Sequence, residues 1–357
     1  MEMNRSIPLV TIVVPVYNHE DYIASTLESL LTQRCDFDYR ILIGDDCSSD
    51  GSLKIAKDYE RRFPATIKVL AAAVNVGLMR NLFDGLFDCV NSKYVAICAG
   101  DDKWIDVNKL QAQVDILEAR DDVSLVHTGY VKCFEKTGEI EEINSWRFRQ
   151  NHDDPIGNMI SVIFEEFSSF PLASSVVFRG SVLVQNAHLL PRLIHDKNTP
   201  GEGLILYSLS AKAGLLFFLD EIMVQYRVRA DSLSHFTNAT RKVSFDFKFR
   251  LYHKSELVKQ LVDRPDLCFR VNRSLLSVLY LSIRLNAFRS FMNLYSDYQK
   301  DNGEYIKPYL SILIFLLDKK LLHQRLCGLA LMGLYGLKNT ILWLIIRIRD
   351  NSQAWYT

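Results

Sequence analysis

Two adjacent carboxylates, Asp101 and Asp102, follow an apolar run that ends in Cys98, Ala99 and Gly100. Two like charges this close raise each other's pKa unless a cation lies between them. One interpretation is a turn that ends in an aspartate helix cap. The other is a divalent-metal site that binds a phosphate-bearing substrate, because Mg²⁺ and Mn²⁺ prefer carboxylate and phosphate oxygens.

A second pair of acids, Asp45 and Asp46, lies in the stretch GDDCSSDGS (44–52). Ser48 to Gly51 are typical of a turn followed by a helix N-cap. Two consecutive acids before that turn are more than a cap requires. The pattern therefore indicates a second polar position that could contact a ligand.

Both acid pairs come at the ends of predicted strands in a chain whose first third alternates strand and helix patterns. Such alternation predicts a parallel, doubly wound sheet, and ligands bind such sheets beyond the carboxyl ends of the strands. We therefore expect both pairs at one edge of the sheet. The predicted strands are 9–17, 40–46, 67–73 and 93–98, and the predicted helices are 21–33, 52–63 and 80–90.

The middle of the chain is harder to interpret. Residues 124–135 and 174–184 resemble further strands, and residues 203–214 have the pattern of a helix that ends at Gly214. Residues 215–228 follow as an extended segment. From about residue 240 the apolar spacing becomes helical, as expected for a separate C-terminal region.

Composition restricts the function classes. The chain has 357 residues, enough for roughly two domains, and 42 basic residues balance 42 acidic ones. A net charge of zero provides no basic field for nucleic acid. Seven scattered cysteines without a CxxC pair indicate free thiols in a reducing compartment. The N-terminus lacks a signal-peptide pattern, so we expect a cytoplasmic protein.

Two further short motifs accompany the acids. PVYN (15–18) closes the first strand, where Pro15 and Tyr17 could line a slot for a base, although a simple turn also explains it. NVGLMRN (75–81) places Arg80 at the start of a helix. Arg80 is either an ordinary surface residue or a phosphate clamp beside a helix N-terminus.

In this order and spacing, PVYN, DDxSxDGS, NxGxxRN and GDDKWxxxxKLQ resemble glycosyltransferase family 2. The resemblance covers roughly residues 8–235. It implies an α/β GT-A fold, with a mostly parallel twisted sheet flanked by helices and a C-terminal helical region. We expect a GT-A domain over 1–238, with a nucleotide-binding half at 1–104 and an acceptor half at 105–238. A helical region is expected over 239–357.

The family implies transfer of a sugar from a nucleotide-diphosphate sugar, foremost a UDP-sugar, with inversion at the anomeric carbon. Asp101 and Asp102 match its metal-binding and ribose-binding acids, and the metal would be Mg²⁺ or Mn²⁺. This metal would stabilise the charge that develops on the leaving nucleotide. The other donor-site positions match Pro15 and Tyr17 around the base, Asp46 in contact with it, and Arg80 as a basic residue.

Two departures from the family pattern concern the metal and the base. Many relatives have a further Asp where this chain has Ala99, which leaves fewer protein ligands for the metal. The usual catalytic base falls on Gly203, so its neighbour Glu202 is the predicted base. Asp220 and Glu221 are the alternatives, and Glu202 could instead merely favour a helix N-terminus by its charge.

A third departure follows the last predicted strand. Relatives often have a His that approaches the metal, in a YRxH motif, where this chain has Arg229 in YRVR. Two explanations remain open. Either His235 substitutes for that His, or Arg229 contacts the diphosphate directly.

The segment 326–346 is 21 residues long, and its one charged residue is Lys338. Its length suits a bilayer span, but a charged residue near the middle of a span costs about 3 kcal/mol. Trp343, Arg347 and Arg349 suit a headgroup region. The alternatives are peripheral membrane attachment, which we favour, a packed helical hairpin, and a true span.

The resemblance to family 2, carried by these motifs, implies an inverting, metal-dependent glycosyltransferase. It would act in cell-surface polysaccharide synthesis, on a glycan or lipid-linked acceptor at the cytoplasmic face of a membrane. A catalytically inactive sugar-nucleotide-binding scaffold is one alternative, favoured by Ala99 and Gly203. A nucleotidyltransferase is another, but it should show a Gly-rich, Lys-containing phosphate loop that the N-terminus lacks.

Overall fold

The computed structural model describes residues 8–87, 91–143, 156–157, 171–188, 202–229 and 288–302, together with positions 240, 243–244, 275, 278–279, 282 and 314. Contacts within the chain divide it into two compact units, Met1–His235 and Phe236–Thr357. The first unit contains the sheet and every described residue of the candidate site.

The first third of the chain folds as alternating strands and helices, as its hydrophobic pattern predicts. Its strands are rich in β-branched residues, which suit a pleated, buried surface. In chain order these elements are β1 (Val10–Val16), α1 (Ile23–Leu31), β2 (Tyr39–Asp45), α2 (Ser52–Arg62), β3 (Ile67–Ala71), α3 (Leu78–Phe87) and β4 (Tyr94–Ile97).

The remainder of the first unit adds short strands, two long strands and three helices among its described residues. A 3₁₀ turn, Ala173–Ser175, precedes β9. The elements are β5 (Lys103–Trp104), α4 (Lys109–Ala119), β6 (Val123–Phe134), β7 (Ile140–Ile143), β8 (Ile156–Gly157), β9 (Val176–Arg179), α5 (Ser181–Gln185), α6 (Glu202–Ala213) and β10 (Leu215–Val228).

The strands form one sheet in the order β3-β2-β1-β4-β9-β6-β10-β5, with β7 on β6 and β8 on β10. The first four strands are parallel to one another. β9 is antiparallel to both of its neighbours, whereas β6 and β10 are parallel to each other. The predicted α/β class is confirmed, and the continuous parallel part of this mixed sheet is its N-terminal half.

Apolar side chains cover both faces of the sheet, as expected for a doubly wound fold. In β1, Val10, Ile12, Val14 and Val16 join a core cluster that includes residues of α1 and α4. Val13, between them, points to the other face and joins a cluster that includes residues of α3 and α6. This two-sided burial explains why β1 is apolar almost throughout rather than alternating.

One predicted strand is only half correct. Residues 174–184 were expected to be extended, but the strand ends at Arg179 and helix α5 begins at Ser181. Between them, Gly180 donates its N–H to the Lys93 carbonyl at 2.9 Å, and a Cβ at position 180 would overlap the Ser92 carbonyl oxygen. This close approach of two backbone segments, which the apolar pattern does not reveal, allows the chain to turn there.

The described part of the second unit contains helix α7 (Phe288–Asn302). Three aromatic rings on this helix stack in sequence, with centroids 6.0 Å apart for Phe288 and Phe291 and 5.7 Å apart for Phe291 and Tyr295. The segment 326–346 lies outside the described residues. Among the residues that are described, no helix combines the length and the apolar character that a membrane span needs.

Candidate donor-binding site

The candidate site lies at the carboxyl ends of β2, β1 and β4, which are neighbours in the sheet. β1 leads into Tyr17, β2 ends in Asp45 and Asp46 follows it, and β4 ends just before the segment that carries Asp101 and Asp102. Val16 is the register partner of Asp45, so the ends of β1 and β2 are level. The topology therefore brings both acid pairs to one edge, with the end of β1 between them.

Gly100 has a packing reason to precede the acids. Its N–H donates to the Pro15 carbonyl at 3.0 Å, which extends the contact between β4 and β1 beyond the regular strand. A Cβ at position 100 would lie 2.7 Å from His19 Nδ1 and 2.9 Å from a Val16 methyl. Only glycine fits this gap. It allows the segment that carries Asp101 and Asp102 to lie directly against the end of β1.

Asp46 is buried, and both of its carboxylate oxygens accept backbone hydrogen bonds. Val76 N–H donates to Oδ1 at 2.7 Å and Gly77 N–H donates to Oδ2 at 2.9 Å. Asn75 Nδ2 also donates to the Asp46 carbonyl at 3.2 Å. Asp46 therefore organises the loop before α3, and a nucleotide base would have to use its remaining lone pairs.

The motif DDxSxDGS connects the loop after β2 to the loop after β1. Ser48 and Ser52 accept the N–H groups of Asn18 and His19 on their hydroxyl oxygens, at 3.1 and 2.7 Å. Asp50 accepts the Glu20 N–H at 3.1 Å. We call this set of contacts the loop clamp.

The loop clamp is reciprocal. Asn18 Oδ1 accepts the Ser49 N–H at 2.9 Å, and Glu20 Oε2 accepts the Gly51 N–H at 2.6 Å. Asn18 has a φ of 55°, in the left-handed region that asparagine tolerates better than most residues. Tyr17, directly before Asn18, is 46% exposed and therefore accessible to a ligand. The turn and cap assigned to Ser48–Gly51 from sequence also hold the loop that carries Tyr17.

Asp101 lies beside two potential cations. Its Oδ2 is 3.7 Å from His19 Nε2 and 3.5 Å from Arg229 Nε, and its side chain is 16% exposed. The Asp101 carbonyl accepts a hydrogen bond from Arg227 Nη1 at 2.8 Å. Asp101 is therefore a partly accessible carboxylate in a polar setting.

Asp102 is more deeply buried, with 2% of its surface exposed. Ser174 Oγ donates to its Oδ2 at 2.5 Å, and Arg227 N–H donates to its Oδ1 at 3.3 Å. Burial, followed by the charge of Asp101, raises the pKa of Asp102 to about 8. A divalent cation at this position would reverse that shift, because a nearby positive charge favours the carboxylate.

Two arginines also contact the acid pair: Arg227 lies near the end of β10, and Arg229 follows the strand. Arg227 Nη2 donates to Ser25 Oγ at 2.8 Å on α1. The guanidinium carbons of Arg227 and Arg229 lie 5.3 and 5.2 Å from the centroid of the Tyr22 ring. The aromatic ring therefore helps to orient both cations beside Asp101.

The motif GDDKWxxxxKLQ also has a structural role beneath the acids. Trp104 Nε1 donates to the Ser174 carbonyl at 2.8 Å, and Lys109 Nζ lies 3.9 Å from the centroid of the Trp104 ring. Lys109 Nζ donates to Gln113 Oε1 at 2.6 Å. Burial lowers the pKa of Lys109 to about 7. These residues pack the start of α4 against the turn that bears Ser174.

The structure does not bring Arg80 against the acids in any contact of its described residues. Its side chain is 53% exposed, and its Nε lies 3.6 Å from Asp84 Oδ2, one turn further along α3. This accessible position is compatible with either of the roles considered from sequence. Its role in donor binding stays a prediction.

Glu202, the predicted base, is the first residue of α6. A Cβ on the adjacent Gly203 would lie 2.9 Å from the Tyr207 hydroxyl, which donates to the Pro171 carbonyl at 2.8 Å. Position 203 is thus too crowded for an aspartate unless Tyr207 moves. The alternative bases, Asp220 and Glu221, are both exposed and lie on β10, at a register shift. His235 is outside the described residues.

The donor set of the site fits a metal that arrives with a phosphate ligand. Within the described residues, no group of three or more His, Cys, Asp or Glu side chains converges as a preformed metal site. Mg²⁺, however, is commonly held by one or two carboxylates together with substrate phosphates. Asp101 and Asp102 supply such carboxylates, and a cation beside them would favour the ionised form of Asp102, whose pKa burial raises.

Among the residues that contact the acid pair, sequence reasoning missed His19, Ser174 and Arg227. The motif YRVR contained a signal for Arg227, because Arg227 lies only two positions before Arg229. Ser174 had no comparable signal. It lies 72 residues from Asp102 in the chain, within a segment that the apolar pattern assigned to a strand.

Comparison with known proteins agrees with this geometry. Residues 11–169 match the family model for glycosyl transferase family 2. The solved structure of S. aureus TarS 1-349 in complex with UDP-GlcNAc superposes with a TM-score of 0.51, covering 84% of this chain and 93% of that chain at 14% identity. The α/β fold is thus the GT-A fold, and residues 11–169 are similar to glycosyl transferase family 2.

Two curated relatives refine the comparison. The putative teichuronic acid biosynthesis glycosyltransferase TuaG of Bacillus subtilis is 30% identical over 155 residues, which is 43% of this chain and 59% of TuaG. The uncharacterized protein Rv1520 of Mycobacterium tuberculosis is 26% identical over 230 residues, which is 63% of this chain and 60% of that protein. The chain therefore spans about 60% of the length of these relatives.

Proposed function

We propose that this protein is an inverting glycosyltransferase that moves a sugar from a nucleotide-diphosphate sugar to a hydroxyl group of a glycan or lipid-linked acceptor. The observation that carries the proposal is the pair Asp101 and Asp102 at the carboxyl end of β4, inside a family 2 domain. The name of TuaG, which refers to teichuronic acid biosynthesis, supports cell-surface polysaccharide synthesis as the process.

The nucleotide-binding half, residues 1–104, would hold the donor at the edge formed by β2, β1 and β4. The exposed ring of Tyr17 would pack on the base beside Pro15, on a loop that the loop clamp keeps in place. Asp46 would contact the base through lone pairs not used by the backbone. UDP is the first nucleotide to test, because TarS was solved with UDP-GlcNAc.

The diphosphate would be bound by Asp101 and Asp102 through Mg²⁺ or Mn²⁺, and the cation would supply Lewis-acid stabilisation of the leaving nucleotide. Arg229 would add a second positive charge, since its guanidinium lies beside Asp101 and over the Tyr22 ring. Arg80 would contribute from the accessible start of α3. These cations would together offset the negative charge of the donor.

The acceptor half, residues 105–238, would supply the base. Inversion requires a group that takes the proton from the acceptor hydroxyl as that oxygen attacks the anomeric carbon. Glu202 is the proposed base, because it is the acid adjacent to the crowded position of Gly203 at the start of α6. Attachment of residues 326–346 to the cytoplasmic face of a membrane would bring this half to a lipid-linked acceptor.

Thermal unfolding in the presence of UDP, GDP, CDP and dTDP, each with and without Mn²⁺, tests donor binding. One nucleotide should raise the melting temperature, and Mn²⁺ should increase that rise. Hydrolysis of the matching nucleotide sugar without acceptor then separates an enzyme from a sugar-nucleotide-binding scaffold. Binding without any hydrolysis or transfer would favour the scaffold, and no stabilisation by any nucleotide would contradict the donor site.

A further inference from the structure

Ser174 connects the acid pair to a distant part of the chain. It lies in the 3₁₀ turn Ala173–Ser175, directly before β9, and it is completely buried. Its Oγ donates to Asp102 Oδ2 at 2.5 Å and accepts the Ala99 N–H at 3.0 Å. Ser174 therefore contacts the segment that carries the acids at two points, the Ala99 N–H and the Asp102 carboxylate.

The geometry determines where the hydroxyl proton points. A serine hydroxyl has one proton to donate, and a backbone N–H can only donate. The Ala99 N–H therefore occupies an acceptor position of Ser174 Oγ. When a cation is bound and favours the ionised carboxylate, Asp102 can only accept. The single proton of Ser174 is thus directed to Asp102 Oδ2, which restricts the rotation of that carboxylate.

The turn that bears Ser174 is itself held from several sides. The Ser174 carbonyl accepts the Trp104 indole N–H at 2.8 Å. Gln113 Nε2 donates to the carbonyls of Ser175 and Val126, each at 2.9 Å. Because both neighbours are buried parts of the core, Ser174 cannot easily follow a displaced Asp102.

From these contacts we infer that Ser174 is a positioning residue, which fixes the Asp102 carboxylate in the orientation that binds the metal–nucleotide complex. The inference rests on the proposed function, since it assigns a supporting partner to a proposed metal ligand. Partners of this kind commonly change metal affinity about 10–100-fold when they are removed, because they orient the ligand that touches the metal.

The adjacent Ser175 provides a matched control. It is as buried as Ser174, but its hydroxyl donates to the Leu172 carbonyl at 2.8 Å, and no described contact links that hydroxyl to the acids. Ser174→Ala and Ser175→Ala each remove one buried hydroxyl from the same turn. A general loss of packing should therefore affect both variants in a similar way.

The test is a calorimetric titration of Mn²⁺ into the full-length protein with a saturating nucleotide, using UDP, GDP, CDP and dTDP in parallel. Ser174→Ala should weaken Mn²⁺ binding about 10–100-fold, while Ser175→Ala should change it little. Nucleotide binding measured in EDTA should remain similar in both variants. If Ser174→Ala fails to fold, Ser174→Cys keeps the approximate size of the side chain with a weaker donor and should also lose Mn²⁺ affinity.

The possible outcomes separate the inference from the proposed function. If the wild-type protein binds a nucleotide with Mn²⁺ and the serine variants do not differ, the positioning role of Ser174 is wrong while the donor site stands. If the wild-type protein binds none of the four nucleotides with Mn²⁺, the proposed function fails and the inference fails with it.

Discussion

Burial in the fold raises the pKa of the Asp102 carboxyl well above its value in water. The side chain is almost fully buried, lies beside Asp101, and has a pKa of about 8. Asp50 in the loop clamp shows the opposite case. Although burial raises its pKa, hydrogen bonds from Ser52 and Glu20 outweigh that effect and lower it. Two acids of one site therefore have opposite effects on the pH dependence of stability.

For Asp102, the folded-state pKa is above the unfolded value of 3.8. The favourable contribution of Asp102 to the free energy of unfolding is therefore complete below about pH 4, and it is lost as the pH rises towards 8. In EDTA, Asp102→Asn should raise the melting temperature relative to wild type, and the difference should increase between pH 4 and pH 8.

Asp50→Asn should instead lower the melting temperature at neutral pH, with a smaller effect in acid. Thermal scans across this pH range measure both, and parallel curves for wild type and Asp102→Asn would contradict the raised pKa.

Glu202→Gln tests the proposed base with little change in size. If Glu202 accepts the acceptor's proton, the variant should lose turnover about 10²–10⁴-fold, the usual contribution of general base catalysis. Donor affinity should be nearly unchanged, since the proposed donor contacts come from other residues. Steady-state transfer rates and nucleotide affinity provide the two measurements. Asp220→Asn and Glu221→Gln are the controls, and a loss of turnover in either one, with Glu202→Gln active, would move the base to that residue.

Contacts between distant parts of the chain decide where some elements end and how some loops are held. Residues 174–184 have the composition of one strand, yet the close approach of Gly180 to the Ser92 carbonyl divides them into β9 and α5. On the other edge of the site, side chains of the loop clamp connect two loops that are about 30 residues apart in the chain. Both features depend on contacts between segments that are distant in sequence.

Gly180→Ala should therefore destabilise the protein. The added methyl group meets a backbone carbonyl that cannot rotate away, so we expect a loss of about 1–3 kcal/mol in the free energy of unfolding, as for other overpacked sites. Ser181→Ala, at the adjacent exposed position, should change it by less than about 0.5 kcal/mol. Denaturant titration compares the two, and equal effects would show that the close approach of Gly180 to the Ser92 carbonyl is unimportant.

The division of the chain into Met1–His235 and Phe236–Thr357 separates the candidate site from a C-terminal unit. The proposed membrane attachment belongs to that second unit, where Trp343 lies near the end of the apolar segment 326–346 and Arg347 and Arg349 follow the segment. Anionic headgroups attract basic residues near the surface with about 1 kcal/mol for each charge. The proposal therefore predicts a dependence on lipid charge.

Replacing both Arg347 and Arg349 by alanine in the full-length protein should weaken binding to vesicles that contain phosphatidylserine. Two charges correspond to about 2 kcal/mol, or roughly a 30-fold change in partition. Cosedimentation with anionic and with neutral vesicles measures this. Nucleotide binding by the same variant should be unchanged. If the wild-type protein binds neither kind of vesicle, residues 326–346 are better explained as packed core.

Sequence alone predicted the parallel half of the sheet and the positions of both acid pairs. Strand β1 and helices α1 to α3 can be recognised from the spacing of apolar residues that are close together in the chain. Parallel strands then bring their carboxyl ends to one edge of the sheet. Only the tertiary structure placed Ser174 on Asp102, turned the chain at Gly180, and joined the two loops through Asp50 and Glu20. These contacts join residues far apart in the chain. Hydrophobic periodicity is a local property, so it carries no information about which distant hydroxyl or carbonyl group will meet a given side chain.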